Sequence, residues 1–488
     1  MNIIAQGTTE TEKHDMEQLF KDSEKDADKK LPHSVFMDLI ATNPKHQDRL
    51  DLDYLDQKCE EIIKDCEVQF LQDHMDKKKN SIVSEDKTHA IFQQPYSLEI
   101  LNQALTPIIA EKDPSLMLLQ YFKDQVIENP HRQEYFTVKG LSESEAFACA
   151  LALSFYTGYA GYGTHTSYRT NRGASQYART ANMDAGSTEA KNYFPVMHYM
   201  IKALAFIPYH WGPCIRHVEL TTEEHERYQV GSVVSWTQFT SSTTGAGVSL
   251  FSGRNTVLHI FSLSGRCIQP FSNFPDEKEV LFAPWCTFLV TKKEQGEDGK
   301  THIYVRQVEL GITQNTIFWV DDKIMDANWE NKILMEYLTS QGLQRNLRII
   351  PKISTNLALS FVDSPFGQYI LKYIKEDFQI VTDMGRPEEE NGSEAGAILI
   401  KELRERGFNN RFTVYVFNEA NARAAIAKHA GHLLEGFENY AVVTKQKDFL
   451  ESVGFIAPTY LNTQQPDQML AKSTVQKAPA KKSDCNVF

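Results

Sequence analysis

The chain has 488 residues, which is enough for about three domains with large hydrophobic cores. Its formal net charge of −13 at pH 7 argues against the basic surface that nonspecific nucleic-acid binding requires, so nucleic acid is not an expected partner. The seven cysteines form no C-x-x-C pair and no zinc-ligand spacing, and the chain has no H-E-x-x-H motif, so neither a disulfide framework nor a zinc site is predicted.

The first residues lack the apolar segment of a signal peptide, and no run approaches the ~18 apolar residues that a membrane helix needs. A cytoplasmic location is therefore expected. Residues 1–45 are polar and charged and are predicted to be disordered.

Helical periodicity begins in residues 46–135. A second helical stretch is predicted from Tyr96 to Glu128, with breaks at Pro107 and Pro114. The role of this region stays open between a docking module and a cap over the next domain. The first helix is predicted from the spacing of Leu55, Cys59, Ile62, Ile63, Cys66 and Phe70.

The next predicted domain covers residues 136–312. A capping-box pattern, Ser142-Glu143-Ser144-Glu145, opens a helix that is predicted to run through Phe155. Another helix is expected from Tyr193 to Phe206. After Pro213 the pattern becomes rich in β-formers, with strands expected at 215–220, 231–239, 256–263, 279–283, 286–291 and 302–310.

Three of these strands carry polar residues. Arg216 lies in PCIRHVEL, and the strand VVSWTQFTSSTT ends in hydroxyl groups that begin at Ser241. The turn FSNFPDEKEV places Glu277 and Glu279 where a loop enters a strand. Because side chains at i and i+2 of an extended chain share a face, the two carboxylates are predicted to lie side by side, with Lys278 facing away. From spacing alone, E-K-E also fits a solvated strand face.

An arginine strand, a strand ending in Ser-Ser-Thr and a strand opening in E-x-E, in that order, resemble the R-S-E signature of the ADP-ribosyltransferases. The preceding sequence, from FACALALSFYTGYAGYG through FPVMHYMIKALAFIPYHWG, is similar to the arginine-specific mono-ADP-ribosyltransferases, and the likeness covers roughly Leu141 to Leu310. It implies a fold of helices packed against a β-sandwich core. It also implies transfer of ADP-ribose from NAD to an exposed arginine of a target protein, with release of nicotinamide.

The resemblance implies a role for each matching residue. Glu279 would stabilise an oxocarbenium-like transition state, Arg216 would bind the diphosphate of NAD, and Ser241 would orient Glu279. Glu277 would orient the acceptor arginine and take its proton. His217 stands where the family usually has a glycine whose backbone contacts nicotinamide, which makes it a further NAD-binding position. No metal is expected in this domain.

Three further points stay open in this domain. Phe271 or Phe274 could contact the target protein. The same site could mainly hydrolyse NAD, with water as acceptor. The chain could instead be a catalytically weak signalling scaffold.

After Leu310, strands and helices alternate, which predicts a parallel sheet with helices on both faces, a doubly wound (βα)5 domain over residues 314–457. Asp321, Asp322, Asp383 and Lys445 follow its strands, at the edge where open α/β sheets bind ligands. The domain resembles a response-regulator receiver, in which the acidic pair binds Mg²⁺, the central aspartate is phosphorylated and the lysine contacts the phosphate. A degenerate receiver used for contacts is the alternative, because Asn418 and the loop MGRPEEENGSEAG depart from the pattern.

The last segment, residues 458–488, is predicted to be a flexible tail. It ends in Cys485-Asn486-Val487-Phe488, a Cys-a-a-X sequence of the geranylgeranyl type preceded by three lysines. Prenylation of Cys485 would place the protein on the cytoplasmic face of a membrane.

Overall fold

The computed structural model describes residues 94–159, 170, 188–307 and 315–455 with short gaps. The predictions for residues 1–45, for the helix over 55–70 and for the tail with Cys485 lie outside the described residues. Among the described residues, no helix is both long and apolar enough to cross a membrane. The gaps are residues 112, 237, 245–252, 285, 327–328, 342–346, 365–366, 369–370, 372–377 and 435–439.

The described chain forms two compact units. Among the described residues, the helical unit contains those in 94–206, 268–276 and 444–455, and the sheet unit contains those in 207–267 and 277–443. The predicted domain boundaries stay predictions. The helices of the helical unit are α1 (Leu98–Ala110), α2 (Met117–Ile127), α3 (His131–Val138), α4 (Glu143–Thr157), α5 (Thr188–Phe206) and α11 (Gln446–Ser452).

Helix α4 is the centre of the helical unit, because residues 148–156 are buried without interruption. A helix that is apolar on all sides belongs in a core. The predicted capping box is confirmed: the Ser142 hydroxyl accepts a hydrogen bond from the amide of Glu145, and the Glu145 carboxylate accepts one from the amide of Ser142. The helix ends at Gly158, whose φ of +83° favours glycine.

One predicted break in the helical unit is wrong. Pro107 lies inside α1 and does not end it. The apolar face of α1 continues on both sides of the proline, with Leu105 fully buried before it and Ile108 buried after it, so packing outweighs the lost backbone hydrogen bond. Pro114 does lie between α1 and α2, as predicted.

The sheet unit begins with a seven-stranded sheet in the order β1-β3-β5-β4-β7-β6-β2. Since β4 also pairs with β1, the strands β1, β3, β5 and β4 close on one another, and β7, β6 and β2 extend the sheet. The strands are β1 (Tyr209–Val218), β2 (Val233–Trp236), β3 (Thr240–Thr243), β4 (Thr256–Cys267), β5 (Glu279–Phe282), β6 (Cys286–Gln295) and β7 (Thr301–Gln307), and α6 (Thr222–Arg227) follows β1.

Strand β1 starts six residues earlier than predicted and runs through Gly212 and Pro213. Its pairing with β4 shifts register between His210 and Gly212, and a bulge of this kind accommodates a glycine and a proline in a strand. The apolar residues of β1 and β4, among them Cys214 and Leu258, pack with those of β5, β6 and β7 into one buried core.

The second sheet has five strands in the order β12-β11-β10-β8-β9, and all four pairings are parallel. The predicted parallel sheet is confirmed, and its order corresponds to 2-1-3-4-5, a common doubly wound arrangement. Its elements are β8 (Asn315–Val320), α7 (Lys332–Ser340), β9 (Leu347–Lys352), α8 (Thr355–Asp363), β10 (Phe378–Thr382), α9 (Ala395–Glu405), β11 (Phe412–Tyr415), α10 (Glu419–Leu434) and β12 (Tyr440–Val443).

Right-handed crossovers distribute the helices of this sheet over both faces. Helix α9 contacts α8 and α10, so these three helices cover one face, while the crossover from β8 to β9 runs in the opposite direction and puts α7 on the other. Apolar residues from the strands and from the three neighbouring helices form the core, including Phe318, Ile380 and Leu399.

Candidate active site

Three strands position the candidate catalytic groups at one end of the closed part of the first sheet. Arg216 lies in β1, Ser241 lies in β3 and Glu279 opens β5, and β3 pairs with both β1 and β5. The Nη1 atom of Arg216 donates a hydrogen bond to the carbonyl oxygen of Ser241 at 2.5 Å. The Ser241 hydroxyl donates to the Glu279 carboxylate. The structure therefore brings these three predicted residues together.

Glu279 is a buried carboxylate, only 5% exposed. Burial raises its pKa to about 7, the hydrogen bond from Ser241 and the charge of Arg216 act in the opposite direction, and the charge of Glu277 raises it further. A carboxylate so placed is poorly solvated, so its negative charge would act strongly on a positive charge that develops beside it.

Glu277 lies near Glu279 but in different surroundings. It ends a 3-10 turn, Pro275–Glu277, and its side chain is exposed. Partial desolvation still raises its pKa above the ordinary value. The predicted extended backbone between the two carboxylates is wrong, because Lys278 has a φ of +46°. The two carboxylates are still close, since the charge of Glu277 acts on Glu279. The turn, rather than strand alternation, sets where Glu277 lies.

His217 follows Arg216 in β1, so its side chain lies on the opposite face of that strand. The charges that act on its imidazole are those of Lys300, Arg254, Asp298 and His302, and burial lowers its pKa. Its carbonyl oxygen accepts a hydrogen bond from Nη1 of Arg254 at 2.9 Å. The imidazole of His217 therefore does not share the strand face of Arg216, and a role for His217 in NAD binding stays a prediction.

Sequence reasoning missed an aromatic pair beside Arg216. The indole Nε1 of Trp236 donates to the Tyr228 hydroxyl at 3.0 Å, and both residues pack against the core of the first sheet. Burial raises the pKa of Tyr228, while the charge of Arg216 acts to lower it. Tyr228 follows the short helix α6 with no periodic signal, so the sequence alone does not single it out.

Phe271 is not accessible for contact with a target protein. It is 1% exposed, and its ring packs against Tyr135 and Phe136 with centroid distances of 5.0 and 5.2 Å. It is therefore a core residue of the helical unit. Phe274 is half-buried and stays a candidate contact.

The second predicted site lies at the carboxyl ends of β8 and β10, which are neighbours in the parallel sheet. Carboxylate oxygens of Asp321, Asp322 and Asp383 lie within 4.8 Å of one another. Burial raises the pKa of Asp321 to about 6 and raises that of Asp383. Three close carboxylates are a ligand set that suits a hard divalent cation such as Mg²⁺.

A buried arginine that contacts this cluster was not predicted. Arg386 is 1% exposed, and its Nη1 lies 2.5 Å from Oδ1 of Asp383 while its Nε lies 2.9 Å from Oε1 of Glu389. It also donates to the hydroxyls of Thr355 and Thr382. Lys445, the predicted cation, is exposed at the N-terminal end of α11.

Residues 140–310 match the family model for NAD:arginine ADP-ribosyltransferase. Over 156 residues, 31% of this chain, the sequence is 33% identical to Mav of Mycobacterium avium (strain 104), which is named as an NAD(+)–arginine ADP-ribosyltransferase. Over 90 residues, 18% of this chain, it is 36% identical to the erythroblast NAD(P)(+)–arginine ADP-ribosyltransferase of Gallus gallus. The chain spans only 17% and 30% of the length of these curated relatives.

Solved structures give weaker likenesses. The type III effector XopAI from Xanthomonas axonopodis pv. citri aligns with 50% of this chain and 98% of its own, at 20% identity and a TM-score of 0.33. The ADP-ribosyltransferase HopU1 of Pseudomonas syringae pv. tomato DC3000 aligns with 39% of this chain and 87% of its own, at 15% identity and a TM-score of 0.31. Residues 140–310 carry a domain of the NAD:arginine ADP-ribosyltransferase family.

Proposed function

We propose that this protein transfers ADP-ribose from NAD to the guanidinium group of arginine in a target protein and releases nicotinamide. One observation carries the proposal: a buried carboxylate, Glu279, is held by the Ser241 hydroxyl close to the charge of Arg216, with a second and exposed carboxylate, Glu277, beside it. The names of the two curated relatives, both arginine-directed, add support for the acceptor.

In the first step, the bond between nicotinamide and C1′ of the ribose breaks, and its electron pair leaves with nicotinamide. Positive charge builds on the ribose, as it does in glycoside hydrolysis. The Glu279 carboxylate stabilises this charge, and Ser241 keeps the carboxylate oriented. Arg216 binds the diphosphate, because its guanidinium keeps its charge and pairs with phosphate oxygens.

In the second step, a guanidinium nitrogen of the acceptor bonds to C1′ and loses one proton. Free arginine has a pKa above ~12 and is a poor nucleophile while protonated, so a base at the acceptor is required. Glu277 takes the proton. Its exposure lets a protein side chain reach it, and its raised pKa makes it a better base than an ordinary glutamate.

Hydrolysis of NAD is the second candidate function. Glu277 is open to solvent, so water can take the place of the acceptor arginine. Free ADP-ribose without labelled protein would identify this activity. A protein that binds no NAD would instead support the scaffold alternative.

The test uses the intact chain, ³²P-labelled NAD, a protein lysate as acceptor and a separate measurement of nicotinamide release. Glu279→Gln should lose both labelling and nicotinamide release, whereas Glu277→Gln should lose labelling and keep release. Glu226→Gln, at an exposed glutamate of α6, is the matched control and should keep both. An intact chain that neither labels protein nor releases nicotinamide contradicts the proposal.

We further propose that the five-stranded domain is receiver-like, which its strand order and its three clustered aspartates support. Asp321, Asp322 and Asp383 would hold Mg²⁺, which supplies charge neutralisation for a phosphoryl group. If so, Mg²⁺ raises the melting temperature of the intact chain and does not raise that of Asp383→Asn. Phosphorylation, prenylation at Cys485 and a cytoplasmic location stay predictions.

A further inference from the structure

Three consecutive hydroxyl groups of β3 bond to the segment that carries the two glutamates. Ser241 donates to the side chain of Glu279, and Ser242 donates to the carbonyl oxygen of Val280 at 2.9 Å. Thr243 donates from Oγ1 to the carbonyl oxygen of Glu277 at 2.7 Å. The first and second of these bonds lie within paired strands, but the third reaches the turn before β5.

That turn has an unusual backbone conformation. Lys278, between the two glutamates, has a φ of +46°, which residues other than glycine rarely adopt. Such a conformation persists where neighbouring groups hold it. Two bonds from the end of β3 do so: the Thr243 hydroxyl to Glu277, and the Thr244 amide to the Lys278 carbonyl oxygen at 3.3 Å.

The two glutamates therefore depend on different supports. Glu279 lies in β5, where it pairs with Thr243 through the strand ladder and is buried. Glu277 lies outside the strand, is exposed, and is fixed by the turn. A change that loosens the turn should displace Glu277 and leave Glu279 in place.

We propose that Thr243 is a positioning residue for Glu277 and so determines how ADP-ribose is divided between arginine and water. This inference rests on the proposed function, because it assigns the acceptor side of the reaction to Glu277. With Glu277 displaced, the bond to nicotinamide still breaks at Glu279, but the acceptor arginine is no longer oriented or deprotonated. Water then captures the ribose.

The experiment compares the intact chain with Thr243→Val, which keeps the shape of the side chain and removes its hydroxyl. Misplacement of a catalytic group by about 1 Å can cost as much as ~100-fold in rate. We expect the ratio of arginine transfer to NAD hydrolysis to fall at least about fivefold. Nicotinamide release and the KM for NAD should stay within about twofold. Thr243→Ser, which restores the hydroxyl, should restore the ratio.

Thr287→Val is the matched control. Thr287 is a half-buried strand threonine whose hydroxyl lies 3.1 Å from that of Ser235, in the β2–β6 pair at the far end of the same sheet. It should keep the ratio of the intact chain. If Thr243→Val does not fold, Lys278→Val tests the same turn, because a β-branched residue is strained at this φ and should lower the ratio. Lys278→Gly, which fits this φ, should keep it.

The outcomes separate the two proposals. An unchanged ratio in Thr243→Val, or equal loss of transfer and nicotinamide release with folding intact, overturns the positioning role and leaves the proposed function standing. An intact chain that shows neither activity overturns both.

Discussion

The Nη1 atom of Arg216 lies 2.5 Å from the carbonyl oxygen of Ser241, so the candidate diphosphate-binding arginine is tied directly to the strand that carries the candidate orienting hydroxyl. A lysine cannot keep this bond and at the same time present a planar fork of donors to phosphate. We therefore expect Arg216→Lys to weaken NAD binding at least about tenfold, which corresponds to the loss of one charge-assisted hydrogen bond. Isothermal titration calorimetry measures the change.

Arg227→Lys, at an exposed arginine of α6, should bind NAD normally. Equal affinities for the Arg216→Lys variant and the intact chain would contradict the role of Arg216.

The raised pKa of Glu279 predicts how the rate of the reaction depends on pH. Its pKa is raised to about 7, mainly by burial, and the proposed mechanism needs the carboxylate form. The kcat/KM for nicotinamide release should therefore rise about tenfold per pH unit below pH ~7 and level off above it. Initial rates between pH 5 and pH 9 at constant ionic strength give the profile. A rate that stays constant down to pH 5 would show that Glu279 is not the group that must ionise.

The Glu279 carboxylate also lowers the free energy of unfolding, by an amount that depends on pH. Because the folded pKa of Glu279 lies above its ordinary value of 4.5, ionisation is less favourable in the folded state than in the unfolded state. The resulting cost is absent below pH ~4.5, grows as pH rises toward 7 and is complete above it. It amounts to on the order of 3 kcal/mol at 1.36 kcal/mol per pKa unit.

Glu279→Gln should accordingly be more stable than the intact chain at pH 8 and similar in stability at pH 4. Denaturant unfolding at the two pH values measures the difference. A variant that is less stable at pH 8 would mean that Glu279 contributes more through its hydrogen bonds than it costs by its charge.

Arg386 stabilises the carboxyl edge of the parallel sheet. Replacing this buried residue by methionine leaves Asp383 and Glu389 without their guanidinium partner. The expected loss is about 3–5 kcal/mol in the free energy of unfolding, since breaking a buried ion pair leaves an uncompensated charge. Arg423→Met is the control, because its ion pair with Glu419 is about half exposed and should contribute less than about 1 kcal/mol. Similar losses for the two variants would argue against the buried network.

Gly396 is required by the close approach of two backbone segments. A Cβ atom added there would lie 2.0 Å from the carbonyl oxygen of Asp383, so the backbone must shift. We expect Gly396→Ala to lower the free energy of unfolding by about 1–3 kcal/mol. Gly431→Ala, in the open part of α10, meets nothing within 4 Å and should raise it by about 0.5–1 kcal/mol. Denaturant midpoints for both variants would show opposite signs, and the same sign for both would contradict the steric argument.

The sequence predicted those parts of the fold that depend on short-range signals. The parallel sheet was predicted because each of its strands is a short apolar run, such as NTIFWV, between turn residues. The capping box of α4 also depends only on neighbouring residues. In contrast, α1 continues through Pro107 because of tertiary packing, which no local pattern reveals.

The same contrast applies to the sites. The order of the arginine, hydroxyl and glutamate strands was sufficient to select Arg216, Ser241 and Glu279 as candidates, and the structure brings these three residues together. The left-handed conformation of Lys278 depends on Thr243 and Thr244, which precede it by more than 30 residues, and so could not be predicted from local alternation. Arg386 lies in an irregular loop, and only the folded chain brings it to Asp383.

Burial of two thiols makes each compact unit chemically traceable. Cys149 in α4 and Cys214 in β1 are both free and buried, and burial raises the pKa of Cys214 to about 12 and raises that of Cys149 as well. Thiolates are the reactive species, so alkylating reagents should reach these two residues only when the surrounding structure opens. The rate of labelling at Cys149 then counts openings of the helical unit, and the rate at Cys214 counts openings of the sheet unit. The two labelling rates therefore report the local unfolding around Cys149 and around Cys214 separately.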